Sequence, residues 1–247
     1  MKIIFKIIDL VEKVLTHTVA LLSKQGFDTQ RYRFNIPEVW YSPWREDVKF
    51  NAIYSEISKN TIISKRKLFD LYQLGSQINR NTNGGAILEV GTLRGGCGGL
   101  LASIFPERKI ILWDNWGKTV EEDSTFIKKS YSGTNDLQQT KQLLEQIKTP
   151  SAVNASFIND IFPNSTVISS WEYEFCMIHF DIYDCNAFIS GIELLWPCLS
   201  IGGIFVVGGY GAISLNPLTD AVNQFVIQNN CLLIQSQSGI GLILKQQ

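Results

Sequence analysis

The chain lacks a dominant charge: 22 basic and 23 acidic residues in 247 leave a formal net charge of −1. That balance excludes a global field that would draw in nucleic acid or an anionic membrane. Histidine is scarce, with only His17 and His179. No Cys-x-x-Cys pair or Cys/His cluster has the spacing of a zinc site. The five cysteines, at 97, 176, 185, 198 and 231, are odd in number and scattered. Four lie in apolar surroundings, which suits reduced thiols in a cytoplasmic protein. Two phosphate-binding signatures are also missing: the G-x-G-x-x-G of dinucleotide sites and the Lys-Ser/Thr ending of a P-loop. The N-terminal run MKIIFKIIDLVEKVLTHTVALL is interrupted by Lys6, Asp9, Glu12 and Lys13, and no small-residue cleavage site follows it. It therefore reads as no signal peptide. Ile3, Ile4, Ile7, Ile8, Val11 and Leu15 recur at helical spacing, which predicts an amphipathic helix. Packing on the body or on a second subunit is the expected use of that helix, ahead of a membrane surface.

What is present centres on residues 86–102, AILEVGTLRGGCGGLLA. A short apolar run ends near an acid, a glycine-rich turn follows, and a helix opens on small residues. This is the layout of a strand that reaches the carboxyl edge of a parallel sheet, where open α/β folds bind nucleotide-like ligands. Glycines at 91, 95 and 96 permit positive φ and close approach of a ligand to the main chain. Glu89 is ill suited to a pyrophosphate and well suited to a cationic or hydroxyl-bearing ligand. The expected ligand is S-adenosylmethionine (SAM), with Glu89, Gly91, Thr92 and Gly95 in its binding turn. A purely structural turn is the alternative.

The chain divides into a helical N-terminal extension, residues 1–84, and a SAM-binding domain, residues 85–247. The extension carries the aromatics Tyr32, Phe34, Trp40, Tyr41, Trp44, Phe50 and Tyr54, with helices expected near 47–58 and 64–80. Tyr41 and Trp44 are candidates for an acceptor pocket; plain packing on the body is the competing use of these rings. From residue 86 strands and helices alternate, as in a parallel sheet covered on both faces. Strands are expected at 86–90, 109–114, 154–159, 175–182, 203–208, 230–235 and 239–245. Helices are expected near 97–104, 135–147, 186–196 and 218–228. The last two strands flank the short turn Gln237-Ser238 and should form an antiparallel hairpin. The fold class is α/β: a Rossmann-like class I methyltransferase fold with a seven-stranded, mostly parallel sheet and an antiparallel last strand.

Strand ends supply the candidate site. Asp114 closes KIILWD and can accept both ribose hydroxyls of a nucleoside. Asp160 or Asn159, after the third strand, can bond the adenine amine. The fourth strand, CMIHFDIYD, places His179, Asp181 and Tyr183 on one face by alternation, with Asp184 at its exit. Asp181 is the expected base, with His179, Tyr183, Asp184 and Tyr210 as neighbours. Asp181 as a helix cap and His179 as a core residue are the structural alternatives.

Three segments together resemble the macrocin (TylF-type) O-methyltransferases. They are SPWREDVKF, EVGTLRGG followed by WDNWG, and HFDIYD…LLWPCLSIGG…YG, in consistent order over residues 40–245. The resemblance implies SAM-dependent methyl transfer to a small-molecule or natural-product acceptor, usually with Mg2+. It also implies a homo-oligomer, such as a dimer, built through the N-terminal region. By position, Glu89, Gly91 and Gly95 would line the methionine end of SAM, Asp114 would hold the ribose and Asp160 would lie near the adenine. The chain departs from the family at one place. Members usually carry two acids before the Tyr-Gly that ends strand five, and these help ligate magnesium; here the residues are Gly208 and Gly209. Two acids spaced by one residue are also usual at the end of the fourth strand. Counting back from Pro197 makes Asp181 the first and Tyr183 the second, whereas a small gap makes Asp181 the second. The expectation is therefore a weak or absent Mg2+ site. A catalytically silent relative, acting as a SAM-binding or partner subunit, is the alternative function.

Overall fold

The computed structural model describes residues 42–82, 84–116, 136–171 and 174–246, together with Leu10 and Val14. The predicted N-terminal amphipathic helix and Tyr41 therefore lie outside the described residues, but for Leu10 and Val14, which are helical. The chain forms two compact units, Met1–Arg45 and Glu46–Gln247. In the first, Pro43–Arg45 is a single 3-10 turn that carries Trp44, closed by the Arg45 N–H on the Ser42 carbonyl at 3.0 Å.

The second unit opens with two helices that run from cap to cap. Helix α1 (Val48–Ile57) begins where the Asp47 carboxylate accepts the Phe50 N–H, and α2 (Lys65–Asn81) begins where the Ser64 hydroxyl accepts the Lys67 N–H. Such caps satisfy N–H groups that the helix itself leaves without partners. Strand β1 (Ala86–Val90) is buried along its whole length, as a central parallel strand must be. It is followed by α3 (Gly96–Ile104), β2 (Ile110–Asp114), α4 (Asp136–Ile147) and the short α5 (Pro150–Val153). Next come β3 (Ser156–Asn159), α6 (Ser165–Ser169), β4 (Phe175–Phe180) and α7 (Cys185–Leu195). The chain then runs through β5 (Leu199–Gly208), α8 (Asn216–Gln228), β6 (Leu232–Ser236) and β7 (Ile240–Leu244).

The seven strands form one sheet in the order β3-β2-β1-β4-β5-β7-β6. Strands β1 to β5 pair in parallel, and β7 lies antiparallel between β5 and β6. This is the Rossmann-like methyltransferase fold. The chain order reverses between β1 and β4, which pair through Glu89–His179 and Val90–Phe180. A crevice opens at that reversal, because the connections leaving the two strands turn to opposite sides.

Alternation along the strands assigns the two faces. One face carries Val90, Trp113, Phe180, Phe205 and Val207 into a core with Phe162 and Phe188. Its rings meet edge to face, Trp113 against Phe162 at 5.0 Å and Phe162 against Phe180 at 5.7 Å between centroids. The opposite face carries Glu89 and His179.

Several strand boundaries differ from the sequence expectation by a residue or two, and two differences bear on the site and the sheet. Strand β4 ends at Phe180, so Asp181 and Tyr183 belong to the connection after it. Strand β5 begins at Leu199, four residues before the expected start at 203, so Gly202 and Gly203 both lie inside it. There Phe175 pairs with Leu199 while Met177 pairs with Ile204, so three extra residues bulge from β5 and the glycine at 202 takes φ +78°.

Candidate functional site

A cleft of about 560 Å³ lies at the carboxyl edge of the sheet, walled by the connections that follow β1 to β4. Gly91 and Leu93 come from the first, Asp114 from the second, Asp160 and Phe162 from the third, and Asp181, Tyr183 and Asp184 from the fourth. A larger hollow of about 950 Å³ lies at the opposite, amino edge. There the Arg108 guanidinium is engaged by the end of α2, including the Thr82 carbonyl at 2.8 Å.

The turn after β1 is held tightly. Gly91 sits at φ +91°, and a Cβ there would stand 2.8 Å from the Asp181 carbonyl oxygen. Leu93 is left-handed at φ +52°, a rare state for a side-chain-bearing residue. Its N–H donates to Asp114 Oδ2 at 2.7 Å, and its carbonyl accepts from Trp116 Nε1 at 2.6 Å and Thr140 Oγ1 at 3.1 Å. Burial pushes the Asp114 carboxyl above its ordinary pKa, opposed by the Leu93 and Asn115 N–H groups.

Beyond β4, Asp181 and Lys67 form a buried ion pair, with Nζ 2.9 Å from Oδ1 and side chains 8% and 9% exposed. Burial is the largest single effect and works against the charge on each; the attraction and hydrogen bond between them, with smaller contributions from neighbouring groups, together outweigh it. The Asp181 carboxyl is thereby held below its ordinary range and the Lys67 ammonium above its own. Lys67 Nζ also lies 5.7 Å from the centroid of the Tyr183 ring. Burial, reinforced by the Asp181 charge, pushes the Tyr183 phenol up.

Several expected site residues take other places. His179 is fully buried beneath the site, its Nδ1 3.4 Å from Cys97 Sγ and 3.5 Å from Glu89 Oε1, so it reaches no acceptor. Glu89 is equally buried and faces His179, because both point to the same side of paired strands. Thr92 is buried, and Gly95 serves packing: a Cβ there would stand 2.5 Å from Thr140 Cγ2. Asn159 lies exposed at the end of β3, outside the cleft wall. Asp160 lines the cleft but is bound locally, accepting from the Ile161 N–H at 2.9 Å and Asn164 Nδ2 at 2.8 Å. Asp184, not Asp181, caps the next helix, accepting the Ala187 N–H at 2.6 Å. Tyr210 points away from the cleft, since its hydroxyl donates to Asn223 at 2.8 Å and its ring packs where a Cβ at Gly241 would be. The ion pair also changes the expectation for Asp181. A carboxylate held ionised by an ammonium is a weak proton acceptor, which counts against its expected role as a base.

Lys67 is the residue that sequence reasoning missed. It sits in the basic run Lys65-Arg66-Lys67, which hides it. Yet Lys67, Leu71, Gly75 and Ile78 share the buried stripe of α2, and a cation on an apolar stripe was the available signal.

The divalent ion that the resemblance implies does not suit these residues. An octahedral oxygen shell needs several oxygens, while Gly208 and Gly209 offer no side-chain oxygen and Asp181 already neutralises Lys67. Among the described residues one trio of metal-type ligands lies close, Glu89, Cys97 and His179, with ligating atoms within 4.8 Å of one another. It is sealed below the cleft, and burial, with the Glu89 charge nearby, pushes the Cys97 thiol well above its ordinary pKa.

No protein-family description matches the chain, and no curated protein matches it in sequence. Solved structures do. The O-methyltransferase NovP superposes with a TM-score of 0.56 at 15% identity, over 76% of this chain and 83% of that one. CalS11, a TDP-rhamnose 3′-O-methyltransferase of calicheamicin biosynthesis, gives 0.58 at 13% identity over 83% and 96%. A crystal structure from Staphylococcus aureus described as a putative caffeoyl-CoA O-methyltransferase gives 0.55 at 16% identity over 96% and 99%. The fold is thus one shared with O-methyltransferases. Among the described residues no helix is long and apolar enough to cross a membrane.

Proposed function

We propose that this protein is a SAM-dependent methyltransferase that acts on a small-molecule acceptor, in the manner of the macrocin-type enzymes it resembles. One observation carries the reading: the Asp114 carboxylate, at the end of β2, is tied to the Leu93 N–H across the cleft-lining turn after β1. That combination offers an acceptor of ribose hydroxyls beside a backbone that glycine at 91 keeps open. The O-methyltransferase structures of the same fold support it.

Bound SAM would supply a methyl group already activated on a sulfonium. Gly91 and the turn after it would receive its methionine end, and Asp114 would hold its ribose. The chain's own contribution is mainly geometric. Holding acceptor and methyl in near-attack alignment is worth about 7–11 kcal/mol of a barrier. A general base typically adds about 10²–10⁴-fold. The latter is the part that Asp181 is poorly placed to supply while paired with Lys67. The acceptor favoured by this site therefore ionises without help from a metal, as a carboxylic acid or an acidic phenol does. Tyr183 and Asp184, both on the cleft wall, would face such an acceptor.

Calorimetric titration with S-adenosylhomocysteine, in chelator, tests the reading. Micromolar binding is expected, followed by transfer of label from radioactive SAM to members of a carboxylate and phenol panel. No binding would sink the reading. Tight binding with no transfer to any member would favour the silent, SAM-binding subunit.

A further inference from the structure

We propose that Lys67 is the resident cation of this cleft: its ammonium, fixed on Asp181 in the room left by glycine at 208, takes the place of a divalent metal ion. The proposal deepens the methyl-transfer reading and rests on it for its meaning, though not for its test.

Three residues meet at one point. Lys67 Nζ and Asp181 Oδ1 are 2.9 Å apart and almost fully buried. A Cβ at position 208 would stand 1.7 Å from that same Oδ1 and 3.0 Å from that same Nζ. A larger residue at 208 is therefore admitted only if the Asp181 carboxylate shifts, which disturbs the pair. The absence of a side chain at 208 and the presence of the ion pair are therefore one device. The two charges fill the volume that a ligating side chain at 208 would occupy.

Electrostatics then closes the site to metal. A dication near Asp181 would stand within a few ångströms of a buried ammonium, where unlike solvent the surroundings screen little. It would also find the Asp181 carboxylate already neutralised, where it needs a shell of oxygens. The ammonium keeps Asp181 ionised and in place, and the network runs on to Tyr183, whose ring centroid lies 5.7 Å from Nζ. Lys67 is buried behind these two residues and acts through them, so its role is that of a positioning residue. It comes from α2, whose first turns are anchored to the far end of the sheet. Arg66 Nη2 donates to Gln237 Oε1 at 3.0 Å, and the Ser236 hydroxyl donates to Asp70.

The test reads metal affinity directly. Mn2+ is titrated by electron paramagnetic resonance into the full chain, its Gly208→Asp variant, its Lys67→Gln variant and the double variant. Wild type is expected to show no affinity tighter than millimolar. The double variant, with two facing carboxylates and no ammonium, is expected to bind about tenfold tighter or more, and Gly208→Asp alone to gain less. Circular dichroism reports folding independently of any ligand. Micromolar Mn2+ binding by wild type that Asp181→Asn abolishes overturns the proposal, as does a folded double variant with no gain. If the double variant does not fold, Lys67→Gln alone decides. Tighter Mn2+ binding supports the proposal, and unchanged binding overturns it. Failure of wild type to bind S-adenosylhomocysteine would sink the methyl-transfer reading while leaving this metal comparison intact.

Discussion

The Asp114 carboxylate accepts the backbone N–H of Leu93 at 2.7 Å, joining the end of one strand to the turn that leaves its neighbour. Leu93 holds a left-handed backbone there, and that state costs about 1–2 kcal/mol without glycine. Three hydrogen bonds around Leu93 offset the strain and keep the turn in one shape before any ligand arrives. Asp114 thus preorganises the site as well as lining it.

Replacing Asp114 separates these two duties. Asp114→Ala is expected to weaken S-adenosylhomocysteine by about 10–100-fold, from one charged hydrogen bond of about 1.5–3 kcal/mol. It should also lower the melting temperature, because the Leu93 N–H loses its partner. Asp114→Asn keeps an acceptor for that N–H and should lose affinity with less loss of stability. Burial raises the Asp114 pKa in the folded chain. Binding that needs the ionised carboxylate should then fall away at a higher pH than for an ordinary aspartate, which calorimetry across the acid range will show.

Removing one partner of the Lys67–Asp181 pair should be costly. Lys67→Met leaves a buried, unpaired carboxylate and is expected to cost about 3–5 kcal/mol in chemical denaturation. Lys67→Met combined with Asp181→Leu should recover most of that loss. The pH dependence has two limbs. The lowered Asp181 pKa contributes stability above the usual carboxylate range, lost as pH falls through the folded value. The raised Lys67 pKa contributes stability below 10.5, lost as pH rises through the folded value. The stability difference between wild type and the doubly neutral variant should therefore stay level across neutral pH and move only beyond those limbs.

Gly91→Ala should destabilise the turn. Its φ of +91° disfavours any side chain, and the added Cβ would press on the Asp181 carbonyl at 2.8 Å, which is backbone and cannot swing aside. A cost of at least about 1–2 kcal/mol is expected. For a chain of this size that is a fall in melting temperature of several degrees, at about 2–4 °C per kcal/mol. An unchanged melting curve would show that the turn can open without penalty.

Two tyrosines near the site should behave oppositely. Tyr210→Phe removes the hydrogen bond to Asn223, costing about 0.5–1.5 kcal/mol of stability, and should leave ligand affinity and turnover unchanged. Tyr183→Phe removes a hydroxyl at the cleft wall beside Asp181 and should reduce turnover more than S-adenosylhomocysteine affinity. Steady-state kinetics with the two variants side by side checks both.

Most strands and helices were legible because they rest on local rules. Strand β1 is an apolar run between glycines, α2 opens on a serine cap, and the β6–β7 hairpin follows from a short polar turn. The boundaries that moved did so for non-local reasons. Gly202 and Gly203 look like a turn in one dimension, yet pairing with β4 draws them into β5 as a bulge. Within the site, Asp114 was legible as an acid ending a strand. The sequence leaves His179 open between a site neighbour and a core residue, because alternation tells which face a residue takes but not whether that face is covered; it is a core residue. Helix α3 covers that face.

By itself the amino-acid sequence determined the order of elements, the glycine-rich turn after β1 and the absence of acids at 208 and 209, since each depends on residues close together in the chain. Only the tertiary structure decided that Lys67, 114 positions before Asp181, would be its partner. Among three adjacent basic residues the sequence marks Lys67 only by its place on the apolar stripe of α2, and names no partner for it. Burial calls for one, because a charge taken out of water must meet its opposite, and the folded chain leaves room for that meeting beside Gly208.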